Sequence, residues 1–449
     1  MRQQNDAASS ARNRTIPFAN RLVNNNTVPK EIQICACVVV AILFALETAP
    51  AVDSAHDFIH VVGQQLVAPG GRDFQIRGIG TGSTAADPIA KDYEDIARLK
   101  FNAVTIFLSY RRFYTDAEPE KYADIGWKRL DQHVALARKH GLRVILQMLD
   151  VEGAQFVPSK GEAFDYRIWV QPELQERFIK LWEAIAQRYK DEPQILGYGI
   201  FCEPVVSGTR QQWIDLATKA VDRIRKIDSN HVLFIERLYG EFGTRREMAG
   251  LDLSPECSFF LVPDGNVIYQ FYFFERDEYT HQHAPWREDR NISLHYPERR
   301  FEIVYREAVN DRGRVFPFDK NYLKFYIERQ LEFGSKHKVP MFVWSFGLLK
   351  NCFEGQGGLQ WLQDTKSLFD DHGLHWSYAP YRADDFGISD NPEALRILAS
   401  PPKSLAANPP LTPALLRLDP MFGPTAQQSV WSLPAVAGFQ KLVASSVPK

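Results

Sequence analysis

Cysteine, net charge and nucleotide-binding motifs are scarce or missing in this chain of 449 residues. Its five cysteines include no C-x-x-C pair, which excludes a disulfide framework and gives no sign of a structural zinc site. A formal net charge of -2 gives no reason to expect nucleic acid as a partner. No G-x-G-x-x-G or P-loop motif opens a helix, which argues against a nucleotide ligand. We therefore predict no cofactor and no metal ion.

Residues 1–55 differ in composition from the rest of the chain. The stretch up to Lys30 is polar and carries several arginines, and an apolar run from Ile34 to Leu46 follows it. Small residues around Ala49 come next, as in the sites that signal peptidase cleaves. The apolar run is short for a membrane span. We therefore expect a signal peptide and a secreted or periplasmic protein, with an uncleaved anchor or a misplaced start codon as alternatives.

Between residues 56 and 400, apolar runs alternate with amphipathic helices. FNAVTIF, LRVILQML and PMFVWSF are strand-like, whereas DYEDIARLK and ELQERFIKLWEAIAQRYK have helical spacing. About eight such units fit a closed (β/α)8 barrel in one domain better than an open doubly wound sheet. In such a barrel, functional residues follow the C-terminal ends of the strands. Residues 401–449, rich in proline and alanine, are predicted to be a weakly ordered tail.

Four stretches at the predicted strand ends resemble glycoside hydrolase family 5, the cellulase-like (β/α)8 glycosidases. They are GIFCEPVVSG, YQFYFFERDEYTHQ, VPMFVWSFG and HGLHWSYAPYRADDFGISDNP. The resemblance extends from Phe74 to about Leu398 and implies a cleft for a β-linked oligo- or polysaccharide. In that family, a glutamate after strand four is the general acid and base, and a glutamate ending strand seven is the nucleophile. Retention requires both carboxyl groups, about 5–5.5 Å apart.

This chain keeps only one of the two glutamates. Glu203, followed by Pro204, matches the acid and base of the family. Ser345 stands at the position of the nucleophile. A serine hydroxyl without an adjacent base is a poor nucleophile, and it cannot supply negative charge to the transition state. We therefore predict that the chain does not hydrolyse glycosides by the retaining mechanism.

Several positions that would contact the sugar or support the nucleophile are also replaced. Cys202 takes the place of the asparagine before the acid, and Thr105 takes that of an arginine on strand two. Leu149 stands for a histidine on strand three, while Tyr272 and Phe274 stand for a histidine and a tyrosine on strand six. Such a drier pocket should raise the pKa of an isolated Glu203.

On strand eight, Ala379 replaces a tryptophan that lies under the sugar in the family. The predicted substrate-binding residues are therefore Cys202, Tyr272, Phe274, Trp344, Trp376, Thr105, Leu149 and Ala379. Further aromatic residues near strand ends could hold sugar rings, since flat apolar faces suit them. These are Tyr110, Phe113, Tyr114, Trp169, Tyr279, Trp286 and Tyr381.

These residues support two interpretations. The first is a monomeric, β-glycan-binding pseudoenzyme. The second is a weak or unconventional β-glycosidase, of the endo-β-glucanase type, that uses Glu203 with another carboxylate. The carboxylates that could serve are Asp150, Glu236, Glu275 and Glu354. Whether the chain is an enzyme stays open at this point.

Two further chemistries receive weaker support. A serine hydrolase would need a base beside Ser345, and His281 or His375 could supply one, but VWSFG lacks the first glycine of a nucleophile elbow. A metal site could use His281 and His283, which lie two residues apart in THQH. Both features are also compatible with ordinary structural roles.

Overall fold

The structure is a computed structural model that describes residues 57–115, 117–119, 121–154, 165–241, 258–285, 290–291, 293–298 and 317–402. Its contacts divide the chain into Met1–Phe58 and Ile59–Lys449, and only the last two residues of the first unit are described. The leader predicted at 1–55 and nearly all of the tail predicted at 401–449 lie outside the described residues. Within these ranges, no helix has both the length and the apolar character needed to cross a membrane.

Parallel strands form a closed barrel within the second unit. Those that build it are β4 (Arg77–Ser83), β5 (Ala103–Ser109), β6 (Arg143–Asp150), β7 (Ile195–Gly199), β9 (Val232–Glu236), β11 (Val267–Phe273), β12 (Met341–Phe346) and β13 (His375–Tyr378). The shorter strands are β1 (His60–Val62), β2 (Gln65–Ala68), β3 (Arg72–Asp73), β8 (Val205–Val206) and β10 (Gly240–Glu241). The barrel order is β11-β12-β13-β4-β5-β6-β7-β9, which confirms the predicted (β/α)8 fold.

Amphipathic helices cover the outside of the barrel, and a four-residue helix, α5, lies at its mouth. They are α1 (Ala90–Arg98), α2 (Asp124–Lys139), α3 (Pro172–Tyr189), α4 (Gln211–Arg225), α5 (Asp277–Thr280), α6 (Lys320–His337), α7 (Gly358–Asp371) and α8 (Pro392–Ala399). The start of α6 is capped by Asp319, whose carboxylate accepts from the backbone N–H groups of Asn321 and Tyr322. Asn391 caps α8 in the same way, and Pro392 occupies its first turn.

The apolar side chains pack in two layers. The larger layer lies between strands and helices, and it takes up the outward-facing side chains. The smaller one fills the barrel interior, where Ile59, just before β1, and Leu66 of β2 meet side chains such as Ile145 and Phe342. Strands buried on both faces explain why the barrel sequences are continuous apolar runs rather than alternating ones.

A register shift near the end of β12 positions part of the site. Val343 pairs with Phe271, but Ser345 pairs with Tyr272, so Trp344 is the extra residue of a bulge. Trp344 packs in the interior layer. Ser345 stands level with Tyr272, which also borders that layer. The bulge therefore turns two consecutive residues toward the inside of the barrel, as bulges near functional sites often do.

Candidate functional site

Glu203 lies at the C-terminal mouth of the barrel, just beyond β7. It is half-buried, and its backbone adopts a φ of 53°, in the left-handed region that side chains other than glycine disfavour. Such strained residues cluster at functional sites because the surrounding structure has to hold them in place. The backbone thus fixes the direction in which this carboxyl group faces.

The surroundings of Glu203 favour its neutral form. Burial raises the pKa of Glu203 to about 7; a positive charge on His281 opposes this increase and the carboxylate of Asp277 adds to it. This agrees with the raised pKa expected from the sequence. At neutral pH, a substantial fraction of Glu203 therefore carries a proton that it can donate.

A hydrogen-bonded polar network forms the floor beneath Glu203. The carboxylate of Glu236 accepts from Trp344 Nε1 at 2.8 Å and from Gln270 Nε2 at 2.9 Å. Gln147 Nε2 donates to Gln270 Oε1 at 2.7 Å, and the Cys202 thiol donates to Gln147 Oε1 at 3.4 Å. Burial raises the pKa of Glu236 well above its usual range, the Trp344 hydrogen bond opposes this, and the charge of Glu203 adds to it.

Three predicted site residues belong to this floor rather than to the open cleft. Cys202 and Trp344 are almost fully buried in the interior layer, and Ser345 is 4% exposed. Burial raises the pKa of the Cys202 thiol well above its usual range. The floor therefore offers neither a thiolate nor a readily accessible serine hydroxyl.

One side of the mouth is an aromatic wall formed by Tyr239, Tyr272, Phe274 and Phe386. Consecutive ring centroids along it are 5.2 Å, 5.9 Å and 5.8 Å apart. All four side chains are half-buried. The guanidinium of Arg237 lies 5.6 Å from the Tyr272 ring centroid and supports the wall from behind. Half-buried rings in a row offer an apolar surface for the carbon faces of a sugar.

Two other predicted residues reach the solvent at the mouth. Leu149, near the end of β6, is 47% exposed, and Ala379, just after β13, is half-buried. With Glu203, Tyr272 and Phe274, they are the predicted site residues that border the cleft. Neither side chain can donate or accept a hydrogen bond, so both extend the apolar character of the mouth.

Thr105 and Trp376 are corrections to the predicted substrate-binding set. Thr105 is fully buried inside the barrel, where its hydroxyl bonds that of Ser377 at 3.0 Å. Trp376 is fully buried in the outer layer, where its ring packs against Phe101 and Phe346. These contacts enclose both side chains. Both residues therefore support the barrel, and neither faces the cleft.

Most of the additional aromatic candidates are also packing residues. Each of those that the structure describes is at most 4% exposed, because its ring fills the layer between strands and helices: Tyr110, Phe113, Tyr114, Trp169, Tyr279 and Tyr381. Trp286 lies outside the described residues. The aromatic surface of the mouth is therefore formed mainly by other rings, those of the aromatic wall.

The structure gives His375 and His283, two residues of the weaker alternatives, other partners. His375 begins β13, at the opposite end of the barrel from Ser345, and its Nδ1 accepts from the Ile76 N–H. Both ring nitrogens of His283 are engaged, by the Arg290 carbonyl at 2.6 Å and the Ser293 hydroxyl at 3.0 Å. Throughout the described ranges, no group of three or more His, Cys, Asp or Glu side chains is arranged to hold a metal ion.

The carboxylates considered as partners of Glu203 have different surroundings. Both oxygens of Glu236 accept hydrogen bonds, and the residue is 1% exposed. Asp150 is bonded by the Ser109 hydroxyl and paired with Arg111 at 3.4 Å. Glu275 is 5% exposed, and Glu354 lies in an exposed turn.

Sequence reasoning missed several residues of the mouth and floor. Gln147 and Gln270 could have been noticed, because each is a polar residue inside an apolar strand and buried polar groups need partners. Tyr239, Phe386 and Asp277 carry no comparable local signal. They come from separate loops, and only the folded barrel brings them to Glu203 and Tyr272.

Comparisons with known proteins agree with this architecture. A family model described as cellulase (glycosyl hydrolase family 5) matches residues 67–351, more than half of the chain. Endoglucanase C of Acetivibrio thermocellus is 25% identical over 309 residues, covering 66% of this chain and 85% of the relative. Cellodextrinase A of Ruminococcus flavefaciens is 22% identical over 286 residues, covering 63% of this chain and 75% of the relative.

Solved structures share the barrel. The cellulose synthase subunit Z of Clostridioides difficile has a TM-score of 0.56 at 20% identity, covering 72% of this chain and 99% of that chain. Cel5A of Thermotoga maritima in complex with cellobiose has a TM-score of 0.55 at 24% identity, covering 72% and 97% respectively. At these identities, the similarity shows a common fold.

Proposed function

Because the chain belongs to glycosyl hydrolase family 5, the cellulase family, we propose that its barrel binds a β-linked glycan without hydrolysing it by the retaining mechanism. The observation that carries the proposal is that Ser345 occupies the position of the nucleophile. It is paired with Tyr272 of the aromatic wall, at the inner end of the cleft. Retention needs a carboxylate there. Without it, the cleft keeps an aromatic wall and the carboxyl group of Glu203, while that of Glu236 is buried in the floor.

The ligand class follows from the site and from the relatives. The aromatic wall suits the carbon faces of sugar rings, and Glu203 can donate to or accept from a hydroxyl group. Thermotoga maritima Cel5A structures hold cellobiose and mannotriose. We therefore propose β-linked gluco- or manno-oligosaccharides as ligands of this chain, bound by a monomer.

A second candidate function is slow glycoside hydrolysis with Glu203 as the general acid. Its raised pKa of about 7 favours this, because a general acid must be protonated at the working pH. An inverting reaction would also need a base about 6.5–9.5 Å away to activate water. Glu236 is a poor base for that role, since its oxygens already accept two hydrogen bonds.

One experiment separates the two functions. Binding of cellotetraose and mannotetraose to the full chain is measured by calorimetry, and release of phenol from activated aryl β-glycosides is measured in parallel. We expect binding without turnover for both the wild type and Glu203→Gln. Turnover that disappears in Glu203→Gln would instead establish the hydrolase. Absence of both binding and turnover would contradict the proposed function for these glycans.

We also propose that the protein is exported, as the basic and apolar pattern before Ala49 indicates. The expected result is a shortened protein in the periplasm or medium of the producing cell, with a new N-terminus near residue 55. Cell fractionation and N-terminal sequencing test this. A full-length product confined to the cytoplasm would contradict it.

A further inference from the structure

The loop that carries Phe386 follows β13 and is closed at its base. The backbone N–H of Ile388 donates to the carbonyl of Tyr381 at 3.0 Å. Tyr381 is in turn joined to the barrel, since its own N–H donates to the carbonyl of Gly80 in β4. Residues 381–388, which we call the β13 loop, therefore form a unit whose position decides where the Phe386 ring lies.

A buried carboxylate of α1 holds the β13 loop from the outside of the barrel. Asp92 is 2% exposed, and its two oxygens accept from Arg382 Nε at 3.1 Å and from Arg382 Nη2 at 2.7 Å. Bidentate pairs of this kind fix the geometry of both partners. The two residues are 290 positions apart in the sequence, so the pair joins α1 to a loop near the other end of the barrel sequence.

The burial of Asp92 makes this pair more than a surface contact. The side chain of Arg382 is 51% exposed, and an ion pair between two such groups would contribute little. An enclosed carboxylate without its cation is costly, however, because it loses water without gaining a partner. The β13 loop therefore cannot leave this position without leaving Asp92 uncompensated.

A second contact holds the other side of the β13 loop. Lys350, which follows β12, donates from its backbone N–H to the Asp385 carbonyl at 2.9 Å and from Nζ to Asp390 Oδ2 at 3.0 Å. Asp385 directly precedes Phe386 in the sequence. Because this contact remains when Asp92 is changed, loss of the Asp92 pair should loosen the loop rather than unfold it.

We propose that Asp92 is a positioning residue for glycan binding, which acts through Arg382 to keep Phe386 at the end of the aromatic wall. Phe386 is the last ring in that row, and its centroid lies 5.8 Å from that of Phe274. A wall that is already assembled spares the ligand the cost of ordering it. The inference rests on the proposed function and names a residue outside the cleft on which binding depends.

The first test compares Asp92→Asn with the wild type, as full chains, for the affinity of cellotetraose and mannotetraose by calorimetry. The substitution keeps the size of the side chain but removes its charge and one acceptor. We expect the affinity to fall by about fivefold, with the loop in place in about a fifth of the molecules. Asp95→Asn is the matched control, because the Asp95 carboxylate pairs with Lys91 and Arg98 within α1, and its affinity should be unchanged.

A mutant cycle with Phe386→Ala tests whether Asp92 acts through this ring. In the Phe386→Ala protein, Asp92→Asn should cause no further loss of affinity, because the ring that Asp92 positions is gone. A general loss of stability would instead weaken binding in both backgrounds. Arg382→Gln breaks the same pair from its exposed side and should match Asp92→Asn, so the test remains decisive if Asp92→Asn folds poorly.

Hydrogen exchange tests the pair without any ligand. The amide of Ile388, which bonds the Tyr381 carbonyl, should exchange faster in Asp92→Asn and Arg382→Gln than in the wild type. Amides of the barrel strands should keep their rates, because the change is confined to the loop. Unchanged exchange of the Ile388 amide in both variants would overturn the inference.

The outcomes separate the two proposals. If the wild type binds a tetrasaccharide and both Asp92→Asn and Arg382→Gln bind it equally well, this inference is overturned and the proposed function stands. An equal loss of affinity with and without the Phe386 ring would also overturn it. If the wild type binds neither tetrasaccharide, the proposed function fails, and the inference fails with it. Weaker binding that depends on Phe386, with unchanged Asp95→Asn, supports both.

Discussion

At the scale of single residues, the position of a carboxyl group decides its chemistry. Glu203 and Glu236 have the same side chain, but Glu203 borders the cleft while Glu236 is enclosed by two hydrogen-bond donors. The sequence identified Glu203 through the proline that follows it. It could only offer Glu236 as one carboxylate among several, because its neighbours Trp344 and Gln270 are distant in the chain.

The raised pKa of Glu203 predicts a pH-dependent stability. Its carboxyl group ionises near pH 4.5 when unfolded but only near pH 7 in the folded protein, because burial disfavours the charge. The neutral form of Glu203 therefore stabilises the folded protein fully below about pH 4.5, and this stabilisation is lost as the pH rises through about 7. The loss lowers the free energy of unfolding by on the order of 2 kcal/mol. We expect Glu203→Gln to lack this loss.

Urea unfolding at about pH 5 and about pH 8 measures the effect. The free energy of unfolding should fall more for the wild type than for Glu203→Gln between the two pH values. Glu354→Gln is the matched control, since Glu354 lies in an exposed turn and should behave as the wild type does. Equal pH dependence in the wild type and Glu203→Gln would contradict the prediction.

At the scale of elements, strand packing shapes the floor of the site. β7 is buried along its whole length, and its glycines let neighbouring side chains approach the backbone. A Cβ at Gly199 would collide with the side-chain amide of Gln147, which bonds Gln270. The bulge in β12 is a second such feature. Neither follows from local propensity, because both depend on what the adjacent strand places opposite.

Gly199→Ala should therefore destabilise the barrel. The added methyl group would push Gln147 away from Gln270, and we expect a loss of about 2 kcal/mol in the free energy of unfolding, as is typical of overpacking. Gly265→Ala is the control, because a Cβ there meets no atom within 4 Å. Urea unfolding of both variants tests the prediction, and equal stabilities would show that the floor adapts to the methyl group.

At the scale of the whole molecule, closure joins parts that are far apart in the chain. β13 pairs with β4, and this pairing completes the barrel. Arg77 strengthens the closure, since its guanidinium donates to the carbonyls of Leu398 and Ser400 and lies over the Trp376 ring at 5.6 Å. Trp376 thus has a structural role that its position near a strand end did not reveal.

The sequence alone determined the alternation of strands and helices, and hence the (β/α)8 barrel, because continuous apolar runs and helical spacing are local patterns. It also determined the residue types at the two key positions, Glu203 and Ser345. Only the tertiary structure decided which aromatic rings face the cleft, which groups donate hydrogen bonds to Glu236, and that His281 contacts both Phe274 and Phe386. These depend on strand register, bulges and the meeting of separate loops, which no local pattern encodes.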